Sequence, residues 1–147
     1  MTETDGRRWD WIAIRSGGAL ALVFAIPLFA AASWASGARE SPGLATVFSF
    51  GALVAFMAGA ACAAWLQPLR LPLAHGLVTA ILTYLAVQVV VTAYRLVVGN
   101  TVNWFNIMFF LTLASLAGLI GGAFGQRMRR LGFVPSNERR IDLEDRS

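Results

Sequence analysis

No aspartate or glutamate lies between Glu40 and Glu138, which is most of the chain. Proton- and cation-coupled transporters depend on ionisable groups inside the membrane. Acid–base enzymes need positioned proton carriers. The gap therefore argues against coupled transport and removes paired carboxylates. Cysteine occurs once, as Cys62, so no intramolecular disulfide can form. It sits in an Ala/Gly-rich apolar run and reads as a small hydrophobe rather than a reactive thiol. Histidine also occurs once, as His75. One His and one distant Cys cannot make the usual zinc or haem ligand set, so no metal and no cofactor is expected. Serines and threonines occur without a credible base, which leaves nucleophilic catalysis unsupported. No catalytic residue is assigned, and a non-enzymatic protein is expected. Lysine is absent, all twelve basic residues being arginine, and charged residues make up only 14% of the chain. A soluble domain carries about 25%.

Hydrophobicity fills the space that charge leaves. Of the 147 residues, 57% are hydrophobic, and mean hydropathy is +0.63. The length allows one domain. Four apolar runs stand out, at residues 12–35, 47–66, 73–98 and 104–125. About 20 residues at 1.5 Å each cross a hydrocarbon core of about 30 Å. The runs lack the alternation of barrel strands and are about twice as long as such strands need to be. Open backbone in lipid would leave amides unpaired, so helices follow. The predicted fold is all-α, a transmembrane four-helix bundle. Residues 1–11 form a polar flank whose Trp9 and Trp11 suit a membrane interface. Residues 126–147 form a basic, polar tail, expected to be disordered or only transiently helical. Pro27 should kink the first helix.

Arginine sets the orientation. Ten of the twelve arginines fall on one side: Arg7, Arg8, Arg15, Arg70 and six in the tail. Only Arg39 and Arg95 fall on the other. The positive-inside rule then places both termini in the cytoplasm, as an even number of spans requires. A multi-pass protein of a bacterial inner or plasma membrane is expected. Its arginines flank apolar runs instead of forming a face, so anionic headgroups, and not nucleic acid, are their counterions. The N-terminus also has the elements of a cleaved signal, with Arg7–Arg8 hinting at a twin-arginine type. Against cleavage, the first run is long enough to span, and Trp9-Asp10-Trp11 fits that motif poorly.

In lipid, helices associate where small side chains let backbones approach. The second helix carries Gly51, Ala55, Gly59 and Ala63, and the fourth carries Ala114, Gly118 and Gly122. Beside the latter runs a second stripe, Ala117, Gly121 and Gly125. These stripes predict close contact between the second and fourth helices, within a monomer or across a dimer. A shift of 59 residues lays Gly17 on Gly76, Ala21 on Ala80 and Gly59 on Gly118. That register suggests two tandem helical hairpins. Two polar side chains are candidate contacts. Gln88 lies near mid-membrane and should bond to another helix, with Thr112 or Ser115 as partners. Arg95 lies near the end of the third helix, placed to snorkel beside Tyr94 or to bind an anion or partner. His75, at the start of that helix, reads as an interfacial residue. The segment at residues 99–106 reads as an interfacial re-entry anchored by Trp104 and Phe105.

Residues 65–84 (WLQPLRLPLAHGLVTAILTY) resemble the middle of small bacterial four-helix membrane proteins of the YrzE type. The matching residues are Gly59, His75, Gly76 and Tyr84. The resemblance covers about a third of the chain. It implies architecture and not chemistry, and it carries over no functional residues. The expected role is an accessory or assembly component acting through helix–helix contacts, with a protein partner or self-association. The alternative is a small oligomeric transporter or channel.

Overall fold

The structure, a computed structural model, describes residues 9–37, 40–67, 71–97, 99, 101–133 and 135. It is an all-α four-helix bundle: α1 (Trp11–Gly37), α2 (Pro42–Leu66), α3 (Pro72–Val97) and α4 (Trp104–Arg130). All four helices are long and apolar enough to cross a membrane. Large apolar side chains cover the outside, among them Val23, Phe50, Val89, Val90 and Phe109. In water such a surface would aggregate. In lipid it is the solvated face. Trp11, Trp34 and Trp104 are all more than half exposed and sit near helix ends, where indoles favour the headgroup layer.

Helix ends depart from the hydropathy boundaries for local reasons. α2 starts at Pro42, not at 47. Proline in the first turn gives up an N–H that has no helical partner anyway, and its fixed φ suits a helix start. α4 runs on to Arg130, past the apolar run that ends at 125, so residues 126–130 of the tail are helical. Arg127, Arg129 and Arg130 occupy its last turn, where cations meet the carbonyl end of the helix dipole. Gly132 then takes a positive φ of 86°. Its N–H donates to the Arg129 carbonyl, and the Phe133 N–H donates to the Met128 carbonyl, a Schellman stop. Pro27 lies inside α1, which is helical on both sides of it. Arg7, Arg8, Arg39, Arg70 and the tail from 136 lie outside the described residues.

Around the bundle the helices follow the order α1, α2, α4, α3, with α2 and α3 also touching across the middle. Among the described residues α1 and α4 do not meet. The core is small and mostly alanine: Ala21, Ala25, Ala52, Ala55 and Ala114 surround Phe56 and Tyr84. Phe56 sits edge-on to Tyr84, with ring centroids 6.3 Å apart.

Backbone contact takes the place of bulky packing. A Cβ at Gly59 would collide with the Gly17 carbonyl and stand 2.7 Å from the Ala21 Cβ. A Cβ at Gly118 would stand 2.7 Å from the Ala80 Cβ and 3.0 Å from the Gly76 carbonyl. The two crossings correspond under the 59-residue shift: Gly17 to Gly76, Ala21 to Ala80, Gly59 to Gly118. The α1–α2 and α3–α4 hairpins thus share one joint.

α2 and α4 also pack closely, as predicted, through the second of the two α4 stripes rather than the one containing Gly118. Gly59 and Ala63 face α1, and Gly118 and Gly122 face α3. Gly51 stands beside Leu28 of α1. Ala55 and Ala114 line the alanine core. The α2–α4 contact uses the neighbouring stripe, where Gly121 meets the Met57 carbonyl and Ala60, and Gly125 meets the Ala61 carbonyl and Ala64. Two stripes one residue apart point about 100° apart on a helix. On α4 one stripe serves the hairpin partner α3, and the other serves α2.

Candidate functional site

The polar side chains of an apolar bundle mark where it does something other than pack. Here they gather at its two ends, in different states.

At the end that holds the chain's N-terminal side, they are satisfied. Asp10 caps α1, its carboxylate accepting from the Ile12 and Ala13 N–H groups at 3.0 and 3.1 Å. The Asp10 N–H donates to His75 Nε2 at 3.0 Å. A backbone N–H can only donate, so Nε2 carries no proton. Nδ1 therefore carries it and donates to the Leu71 carbonyl at 2.9 Å. His75 is a neutral, fully buried imidazole with both nitrogens engaged and Trp9 packed on its ring. Its place near the start of α3 suggested an interfacial residue; in the fold it is buried, because Trp9 and Asp10 fold over it. Arg129 donates to the buried Gln67 carbonyl at 2.6 Å, and the Trp65 indole donates to the Phe133 carbonyl at 2.7 Å. These bonds tie the α2–α3 connection to the end of α4. His75, Thr79 and Thr83 form a buried stripe toward α1. The Thr79 hydroxyl alone among the described buried side-chain groups lacks a partner.

At the other end the helices part and leave a cavity of about 250 Å³. Its floor is Phe29, Tyr84 and Phe110, and its walls carry Ser33, Ser36, Ser49, Gln88, Thr92, Asn103 and Asn106. No charged side chain lines it among the described residues. The Gln88 amide donates to the Tyr84 hydroxyl at 2.8 Å, and that hydroxyl donates to the Ile107 carbonyl of α4 at 2.8 Å. Gln88 thus reaches α4 through Tyr84, one turn back on its own helix. Thr112 and Ser115, its predicted partners, instead bond the Met108 and Leu111 carbonyls of their own helix. Ser36 and Ser49 also turn to backbone carbonyls. Asn103 caps α4 by accepting from the Asn106 N–H at 3.1 Å. The Gln88 carbonyl oxygen, the Ser33 and Thr92 hydroxyls and the Asn106 amide have no side-chain partner among the described residues. All four border the cavity. The side chain of Arg95 lies outside what the structure describes.

A second, larger hollow adjoins the first. α1 and α3 come together near Gly18 and Thr83. Beyond Leu22 and Ala86 they flank a groove of about 1020 Å³, lined by apolar side chains with Ser33 and Thr101 at its edge. Phe29, Ser33, Val87 and Val91 line both hollows.

Sequence reasoning singled out Gln88 but missed Tyr84, Ser33 and Asn106 as its neighbours. A usable signal was present. In an antiparallel bundle, the end of α1, the start of α2, the end of α3 and the start of α4 lie at one height. Most of the mid-chain polar residues fall in those four stretches. Comparison of the chain with protein-family models, with curated proteins and with solved structures finds no match.

Proposed function

We propose that this protein is a non-enzymatic accessory component of a bacterial inner or plasma membrane, and that it works by binding a ligand in the cavity. The carrying observation is the set of hydrogen-bonding groups left open there. These groups border the hollow without a side-chain partner, whereas the His75 end of the bundle engages nearly all of its polar side chains. Open donors and acceptors converging on one hollow are the usual mark of a binding pocket. With both termini cytoplasmic, as the arginine distribution favours, the cavity opens toward the outer surface.

Transport is the weaker reading. Below the cavity, Phe56 and Tyr84 fill the core, and the glycine joints bring backbone against backbone. A path through the monomer would have to break those contacts. Among the described residues the cavity holds no nucleophile–base pair and no carboxylate, which gives catalysis no support. Assembly with a protein partner, or self-association, would use the lipid-facing surface and leave the cavity free to sense its ligand.

The test is native mass spectrometry of the protein released from nanodiscs, with Gln88→Leu beside it. A small molecule retained by the natural chain and lost from the variant supports binding. Uptake of a solute by liposomes holding the protein, with nothing retained in the spectrometer, would replace binding with transport.

A further inference from the structure

We infer that the ligand is a membrane amphiphile with an uncharged, hydrogen-bonding headgroup, its headgroup in the cavity and an alkyl chain in the α1–α3 groove. This rests on the cavity being a binding site and adds the class of its occupant.

Three observations converge on it. The two hollows adjoin, since Phe29, Ser33, Val87 and Val91 border both. Polarity is graded along the pair: amides and hydroxyls stand in the cavity between the helix ends, and Leu22, Ile26, Ala86 and Val90 line the groove. The groove lies between two membrane-spanning helices, so its open side faces lipid. A molecule filling both spaces must be polar at one end and apolar along the rest. It also enters sideways, from the bilayer.

The headgroup's charge follows from the lining. The described wall holds no Asp, Glu, Lys, Arg or His. A phosphate there would have to shed water with no cation among the described residues to receive it. An amide and several hydroxyls instead suit sugar or glycerol hydroxyls, which donate and accept equally well. The uncovered Gln88 carbonyl accepts, the Asn106 amide does both, and the Ser33 hydroxyl stands at the junction.

The experiment uses the full chain in phosphatidylcholine nanodiscs. The probe is a monoglucosyl diacylglycerol with a diazirine in one acyl chain. A phosphatidylglycerol probe with identical chains serves as the comparison. Expected is labelling of groove residues such as Ala30, Ala86 and Val90 by the glucosyl probe, at least fivefold above the anionic probe. Excess unlabelled glucolipid should remove it. Gln88→Leu should lower it several-fold. Ala30→Trp, which fills the groove without touching the cavity, should lower it equally, while the melting temperature stays unchanged. Equal labelling by both probes, or labelling spread evenly over all lipid-facing surfaces, overturns the inference.

Methyl glucoside, which has the headgroup but no chain, separates this failure from failure of the binding reading. Retention of methyl glucoside that Gln88→Leu abolishes and Ala30→Trp leaves alone keeps the cavity as a site and rejects the amphiphile. Retention of neither compound rejects both.

Discussion

The two ends of this bundle are made from the same four helices and treat polarity in opposite ways. At the His75 end, both imidazole nitrogens, the Asp10 carboxylate and the Arg129 guanidinium all have protein partners. At the Gln88 end, an amide oxygen, two hydroxyls and the Asn106 amide face an open hollow. The glycine joints account for part of the contrast. Gly17, Gly59, Gly76, Gly118, Gly121 and Gly125 lie in the half of the bundle toward His75, where they let helices touch. In the other half Phe29, Phe110 and Val87 occupy the equivalent space and hold helices apart. Glycine makes one half close-packed, and aromatic and branched side chains keep the other open.

The contrast breaks most directly at the joints. Gly59→Leu and Gly121→Leu each drive a side chain into a carbonyl of the next helix, Gly17 and Met57 respectively. Overpacking costs about 1–3 kcal/mol where the site can shift. Here backbone would have to move, so a larger loss is expected, read as failure to recover folded protein in mild detergent. Gly43→Leu, with nothing nearby to strike, should melt as the natural chain does. If the two joint variants also fold normally, the close half is not held by glycine.

A smaller effect tests the satisfied network. His75→Ala strands the Asp10 N–H and opens a hole under Trp9. A loss of about 2–4 kcal/mol is expected, measured by titration with a denaturing detergent. Protection of the Asp10 and Trp11 amides from hydrogen exchange should fall with it. Unchanged protection would mean that the segment before α1 is held by something else.

The smallest effects are expected at the open end, and they sharpen the comparison. Tyr84→Phe removes the α3–α4 hydrogen bond and should cost about 0.6–2 kcal/mol. Gln88→Leu exchanges a half-satisfied amide for an apolar group. It should change stability by less than about 0.5 kcal/mol, or raise it, while abolishing ligand retention. A loss above about 2 kcal/mol for Gln88→Leu would make that residue structural glue and end its role as a binding group.

Much of the architecture was legible because it rests on properties that each residue carries alone. The four spans follow from hydropathy, and the 59-residue correspondence follows from the order of small residues. What was not legible depends on neighbours distant in sequence. The stripe containing Gly118 was readable as a smooth face, but nothing local says whether α2 or α3 will use it. His75 looks interfacial until Trp9 and Asp10, 65 or more residues earlier, fold over it. The groove has no sequence signature of its own, because it is a gap left where α1 and α3 part. The polar walls of the adjoining cavity did have one, in the shared height of Ser33, Ser49, Gln88 and Asn106.

That parting of α1 and α3 lies in the half of the bundle away from His75. A lipid reaching the groove must therefore come from a single leaflet, the one on the Gln88 side. Its partner leaflet meets only the closed half and has no way in. Occupancy would follow the composition of one monolayer and ignore the other. If the groove holds the proposed lipid, a membrane scrambled to equal composition would alter its occupancy without any change in total lipid content.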